Sequence, residues 1–200
     1  MKILIIGGHG TIGRHVAQAL QSTDEVITGG RSKGDVHIDL SKSETIEEAY
    51  RELPDLDAVI CVAGEAKWAP FAEMDYADYE IGLKSKLMGQ VELVRLGTRM
   101  LGPEASFTLS TGILADDPVP MTTSSAMVNG AIHSFVLAAS LEMPHRQRIN
   151  VVCSGLVEDS VDKYAAYFPG HDPVPMSRVT NAYIKCLRIP INGKIVRVGF

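Results

Sequence analysis

Two hundred residues, 46% apolar and 22% charged, are enough for one compact domain whose core needs neither metal nor crosslink. A formal net charge of −5, with both signs mixed along the chain, gives no basic stripe for nucleic acid or an anionic membrane. A small molecule is the expected partner. The cysteines Cys61, Cys153 and Cys186 lie far apart without a CxxC pair, and the six histidines show no ligand spacing, so neither a disulfide nor a metal site is expected. The opening apolar run stops at Gly7-Gly8, too short for a signal core or a membrane span, and the cytoplasm is the expected location.

In chain order, a β-type run at Lys2–Ile6 leads into a helical stretch at Thr11–Gln21 and a second strand at Glu25–Thr28, with Gly29-Gly30 read as a loop. A helix over Glu44–Glu52, a strand at Ala58–Val62 and a long helix over Tyr76–Leu101 follow. The strand Ser106–Ser110, the turn Asp116-Asp117-Pro118 and the helix Thr122–Glu142 come next. The chain closes with Arg148–Val152, Ser177–Leu187 and a last strand at Lys194–Val198. Most strands are continuous apolar runs, as expected where helices cover both faces of a sheet. The alternation predicts an α/β, Rossmann-type three-layer fold with a central parallel sheet, spanning residues 1–200 as a single domain.

The first strand runs into Gly7-Gly8-His9-Gly10-Thr11-Ile12-Gly13 and then into a helix. Gly7 permits the tight turn, Gly10 lets backbone approach a pyrophosphate, and Gly13 lets the helix pack close to the sheet. The phosphates of a dinucleotide would rest on the free N–H groups from Thr11 and Ile12 onward, at the positive end of the helix. After the second strand, a site for NAD would place an acidic residue against the ribose. This chain has Gly30-Arg31-Ser32-Lys33 instead. Arg31 can grip a 2′-phosphate with two parallel hydrogen bonds and Ser32 can donate another, with Arg14 adding positive field, so NADP(H) is the expected cofactor.

From these residues onward the chain resembles the short-chain dehydrogenase/reductase family. Cys61-Val62-Ala63-Gly64 is similar to the family's Asn-Asn-Ala-Gly turn, and Asp39-Leu40 to the Asp-Val or Asp-Leu pair beside the adenine. Leu87-Met88-Gly89 matches the middle of the long helix, and Leu109-Ser110-Thr111-Gly112 resembles the strand end that bears the active-site serine. Asn129-Gly130, Ile149-Asn150-Val151-Val152, Ser154-Gly155 and Asn192-Gly193-Lys194 continue the likeness in order. The resemblance implies cofactor contacts from Asp39, Leu40, Ala63, Gly64 and Gly155. It also implies a homodimer or homotetramer paired through the two long helices, with Met88, Val91, Leu93, Val136, Leu137 and Ala138 as interface candidates and core packing as the alternative.

The family's Tyr-x-x-x-Lys is missing. Counting back from Asn129-Gly130 puts Met121 at the tyrosine and Ser125 at the lysine, and Lys86 replaces the helix asparagine. Ser110 or Thr111 can still polarise a carbonyl. The proton donor could be Lys86 if its helix aims it into the cleft, or Tyr164 or Tyr167; otherwise these are a surface lysine and packing aromatics. Asp116-Asp117 reads as a solvated turn, and Trp68 with Phe71 as a substrate mouth or simple packing. Two functions fit: an NADP(H)-dependent oxidoreductase acting on a carbonyl or alcohol, and a non-catalytic NADP(H)-binding protein or redox sensor.

Overall fold

The computed structural model describes residues 1–200. Seven strands form one parallel sheet: β1 (Lys2–Ile6), β2 (Glu25–Gly30), β3 (Val36–His37), β4 (Ala58–Cys61), β5 (Ser106–Gly112), β6 (Arg148–Ser154) and β7 (Ile195–Val198). Their spatial order, β3-β2-β1-β4-β5-β6-β7, reverses between β1 and β4 and opens a crevice at the carboxyl ends of those two strands.

Each central strand serves two cores, which is why its sequence is apolar throughout. On β1, Leu4 and Ile6 join a core with Ile46 and Tyr50 of α2 (Ser43–Glu52), Leu93 of α4 (Gly89–Met100) and Ile132 of α5 (Thr123–Ala139). Ile3 and Ile5 face the opposite core, with Val16 of α1 (Gly13–Leu20) and Val179 and Tyr183 of α7 (Met176–Arg188). The third layer expected from the alternation is thus present. A small third cluster, Ile113, Leu114, Leu156 and Phe168, holds the segment around α6 (Val161–Tyr164) over the crevice mouth.

Several expected boundaries differ. Gly29-Gly30 belongs to β2 rather than to a loop, pairing with the two-residue β3 that the sequence does not announce. The long helix is interrupted: α3 (Tyr76–Ile81) passes through a π-helical stretch, Gly82–Met88, before α4. Such widened turns push a carbonyl and a side chain out of the regular ladder and recur at functional sites. Leu93 and Val136 are fully buried in the core and are not available to an interface, whereas Met88, Leu137 and Ala138 are exposed. No helix is long and apolar enough to cross a membrane.

Asp24 ties the start and end of the chain together. Its side chain is 1% exposed and pairs with the N-terminal amine at 3.0 Å and with Arg188 of α7. Burial pushes its carboxyl up, but hydrogen bonds from Arg188, Thr23 and the amine outweigh that and bring it down to about 2. A carboxyl depressed in the folded state stabilises above its unfolded value and loses that contribution as pH falls through the folded one. Asp24→Asn is therefore expected to cost on the order of 2 kcal/mol at neutral pH and to flatten the loss of stability between about pH 4 and pH 2, measured by urea unfolding.

Candidate active site

The glycine turn has the geometry of a phosphate cradle. Gly7 sits at φ +83°, in the left-handed region that favours glycine, and its N–H donates to the Gly29 carbonyl at 2.8 Å. The Gly10 N–H returns to the Gly7 carbonyl at 2.9 Å, folding the loop over the end of α1. A Cβ on Gly13 would lie 2.0 Å from the Gly7 carbonyl oxygen, so α1 starts closer to β1 than any side chain allows. Thr11 is exposed at the rim of the loop, and Ile12 extends along the crevice floor toward Ser154 and Gly155.

Beside the cradle, Gly7, Arg31, Ser32, Asp39, Leu40, Ala63 and Gly64 line one continuous hollow. The structure brings this predicted nucleotide set together. The loop between β2 and β3 that carries Arg31 is pinned by Asp35, a residue the sequence does not single out: its carboxylate accepts from the Thr28 N–H and hydroxyl, both at 2.8 Å. Those bonds hold the Asp35 carboxyl below the usual range. Arg31 itself reaches across the hollow to Glu65 at 2.8 Å, with both side chains mostly exposed. Asp39 accepts from the hydroxyl and the N–H of Ser41, and these bonds keep it ionised.

Further along the crevice, a cleft of about 400 Å³ is lined by Lys86, Thr111, Ser125, Asn129, Trp68 and Tyr164, among others. Lys86 comes from the π-helical stretch, and its stem packs against Gly64, where a Cβ would meet Lys86 Cγ at 2.9 Å. It is half-buried rather than a surface lysine, and burial pulls its ammonium below the ordinary lysine value. The ionisable groups acting on it are the thiols of Cys61 and Cys153, both pushed up to about 11 by burial, and no carboxylate is among them. Gln90, fully buried, fixes the register of the two walls. Its amide donates to the carbonyls of Lys86 and Ser110, both at 3.1 Å, and accepts from the Ser110 N–H at 2.8 Å.

Ser110, expected to face a substrate, does not. Its hydroxyl points to the α1/α7 side of the sheet, bonding the Cys61 carbonyl and, at 2.8 Å, the hydroxyl of Tyr183. Thr111 is one residue on and so points to the other face, the one that looks onto the cleft. Asp116-Asp117 is no mere solvated turn: Asp116 holds Arg197 of β7 through two 2.9 Å bonds, and Asp117 meets His171 at 3.0 Å. Trp68 packs with Tyr164 and Tyr167 at centroid distances of 5.2 and 5.7 Å and forms the aromatic wall of the cleft.

Residues 8–178 match a family model described as enoyl-(acyl carrier protein) reductase. The chain belongs to the short-chain dehydrogenase/reductase family. Among solved structures, it is similar to the protein lin1944 of Listeria innocua, with 39% identity, 99% of each chain covered and a TM-score of 0.96. A small-chain dehydrogenase solved in complex with NADPH shares the fold at 21% identity and a TM-score of 0.87, over 99% of this chain and 96% of that one. So does a short-chain dehydrogenase/reductase of Brucella melitensis at 19% identity and a TM-score of 0.84, over 98% and 94% of the two chains. Among curated proteins no sequence matches. Met121, which the count back from Asn129-Gly130 aligns with the family's tyrosine, sits at φ +70°, an unfavourable backbone for a non-glycine residue, just before α5 begins. Ser125, which the same count aligns with the lysine, is buried against the cleft that Lys86 also lines.

Proposed function

We propose that this family member is an NADP(H)-dependent oxidoreductase that interconverts a carbonyl compound and its alcohol in the cleft between Lys86 and Thr111. The observation that carries the reading is a pair of adjoining hollows that share Gly64 and Glu65, one lined by Gly7 and Arg31 and the other by a desolvated ammonium and a hydroxyl, Lys86 and Thr111. A dinucleotide fits the cradle because Gly7, Gly10 and Gly13 leave only backbone against its phosphates. The NADPH held by a relative of the same fold supports the choice of cofactor.

Bound there, the reduced nicotinamide would supply hydride. The chain's own residues do the rest. Thr111 donates a hydrogen bond to the substrate oxygen, and the Lys86 ammonium, without a counter-ion to neutralise it, stabilises negative charge developing on that oxygen. Leu114, Trp68, Tyr164 and Phe168 form an apolar wall that excludes water.

Stopped-flow oxidation of NADPH against a panel of aldehydes and ketones tests this. Lys86→Met and Thr111→Val are each expected to slow hydride transfer about tenfold to a hundredfold with cofactor saturating. Ser110→Ala should cost about 1 kcal/mol of stability through its lost bonds to Cys61 and Tyr183, and leave the rate unchanged. Cofactor binding without turnover over the whole panel would refute the oxidoreductase.

A further inference from the structure

Ser125, Asn129 and His133 recur every fourth residue and so share one stripe of α5, facing the end of β5. The upper two line the cleft. Asn129 reaches the Gly112 carbonyl at 3.5 Å, while its own oxygen is enclosed and has no partner. His133, 7% exposed, lies one turn deeper, with Nε2 2.8 Å from the hydroxyl of Thr111. Its Nδ1 has no partner within the chain and is not among the enclosed polar atoms, so solvent reaches it.

We propose that Thr111 and His133 form the proton relay of this site, standing in for the tyrosine and lysine whose places Met121 and Ser125 have taken. The inference rests on the oxidoreductase reading and supplies the proton source that reading lacks. Methionine has no proton to give, and threonine alone would be left as an alkoxide. In the reducing direction, hydride adds to the carbonyl carbon and the C=O π pair moves to oxygen, which takes the Thr111 hydroxyl proton. Thr111 recovers one from Nε2 of the protonated His133, and the neutral ring that remains is reprotonated from water. The sum is one alcohol and one oxidised nicotinamide for each hydride and proton consumed, with His133 acting through Thr111 as a positioning and relay residue.

The surroundings suit a shuttle rather than a trap. The ionisable groups acting on the ring are Asp116 after β5 and Arg197 of β7, with the Cys153 thiol of β6 close to Asp116. Asp116 is already committed to Arg197 by two bonds, so it orients charge without taking the proton. Burial first, then Arg197, lower His133 below the ordinary histidine value, and Asp116 offsets part of this. The imidazolium is the form that feeds Thr111, so its share falls as pH rises through that lowered value.

Two measurements test the relay, the first without turnover. In cofactor-free protein with nitrogen-labelled histidines, Thr111→Val should move the Nε2 resonance and the titration of one histidine and leave the other five in place. In NADPH oxidation with benzil, an aromatic diketone, the wild-type rate should fall as pH rises through the depressed His133 value. His133→Gln should remove that dependence and slow the step about tenfold to a hundredfold while NADPH affinity holds. Lys86→Met, though slower, should keep it. If no resonance responds and the pH dependence survives in His133→Gln, the relay is overturned and the oxidoreductase stands. If the wild type binds NADPH but oxidises it with neither benzil nor any aldehyde or ketone of the panel, both fall. Should His133→Gln not fold, His133→Asn and Thr111→Val carry the same comparison.

Discussion

Gly13→Ala is expected to abolish measurable NADPH binding and to cost about 3 kcal/mol or more of stability. The added methyl would sit 2.0 Å from the Gly7 carbonyl oxygen, 2.8 Å from its carbon and 2.9 Å from Gly8 Cα. All three contacts are backbone, so no side chain can rotate away. Relief requires α1 to retreat from β1, which moves the first-turn N–H groups off the phosphate position and opens the packing of Val16 and Leu20 against Ile3 and Ile5. Thermal unfolding and cofactor titration on the same preparation separate the two losses. An alanine variant of unchanged stability would mean that α1 does not approach β1 this closely.

Arg31→Ala should weaken NADPH binding by about tenfold to a hundredfold and change NADH binding by less than about twofold. The guanidinium lines the hollow from a loop between β2 and β3 that Asp35 and Thr28 lock, so little ordering of its backbone remains to be done on binding. In the free protein its partner is Glu65, but that pair is mostly exposed and contributes about 1 kcal/mol at most. A dianionic 2′-phosphate offers stronger, doubly hydrogen-bonded contact and displaces it. Losses of equal size for both cofactors would show that Arg31 acts on the shared part of the nucleotide, against the NADP(H) assignment.

The strand, glycine turn and helix that open the chain were legible because their requirements are local. A strand, a glycine turn and a helix follow one another within residues 2–20, and Arg31 lies at the end of the next strand. β3 escaped notice because two residues, Val36-His37, carry no periodicity, and its pairing with Gly29-Gly30 turned an apparent loop into a strand. The π-helical stretch was equally silent: Leu83, Leu87 and Val91 keep an apolar spacing that an unbroken α-helix would also show.

In the chemical half, the choice between Ser110 and Thr111 could have been made from alternation alone. Phe107 and Leu109 belong to the core beneath α4 and α5, so Thr111 shares their face and Ser110 must take the other. His133 was dismissed for lacking ligand spacing, although its distance of eight residues from Ser125 puts it on the same helix stripe. The partnership of Asp116 with Arg197 spans 81 positions, and no local pattern encodes it.

Trp68, the only tryptophan, lines the hollows on both sides of the expected nicotinamide position, so its emission reports directly on an occupied crevice. Titrating wild-type protein with NADPH and with NADH should quench Trp68 and sensitise cofactor fluorescence, with NADPH saturating at a concentration about tenfold or more below NADH. Unchanged Trp68 emission with both nucleotides at about millimolar levels would leave a Rossmann fold without its dinucleotide.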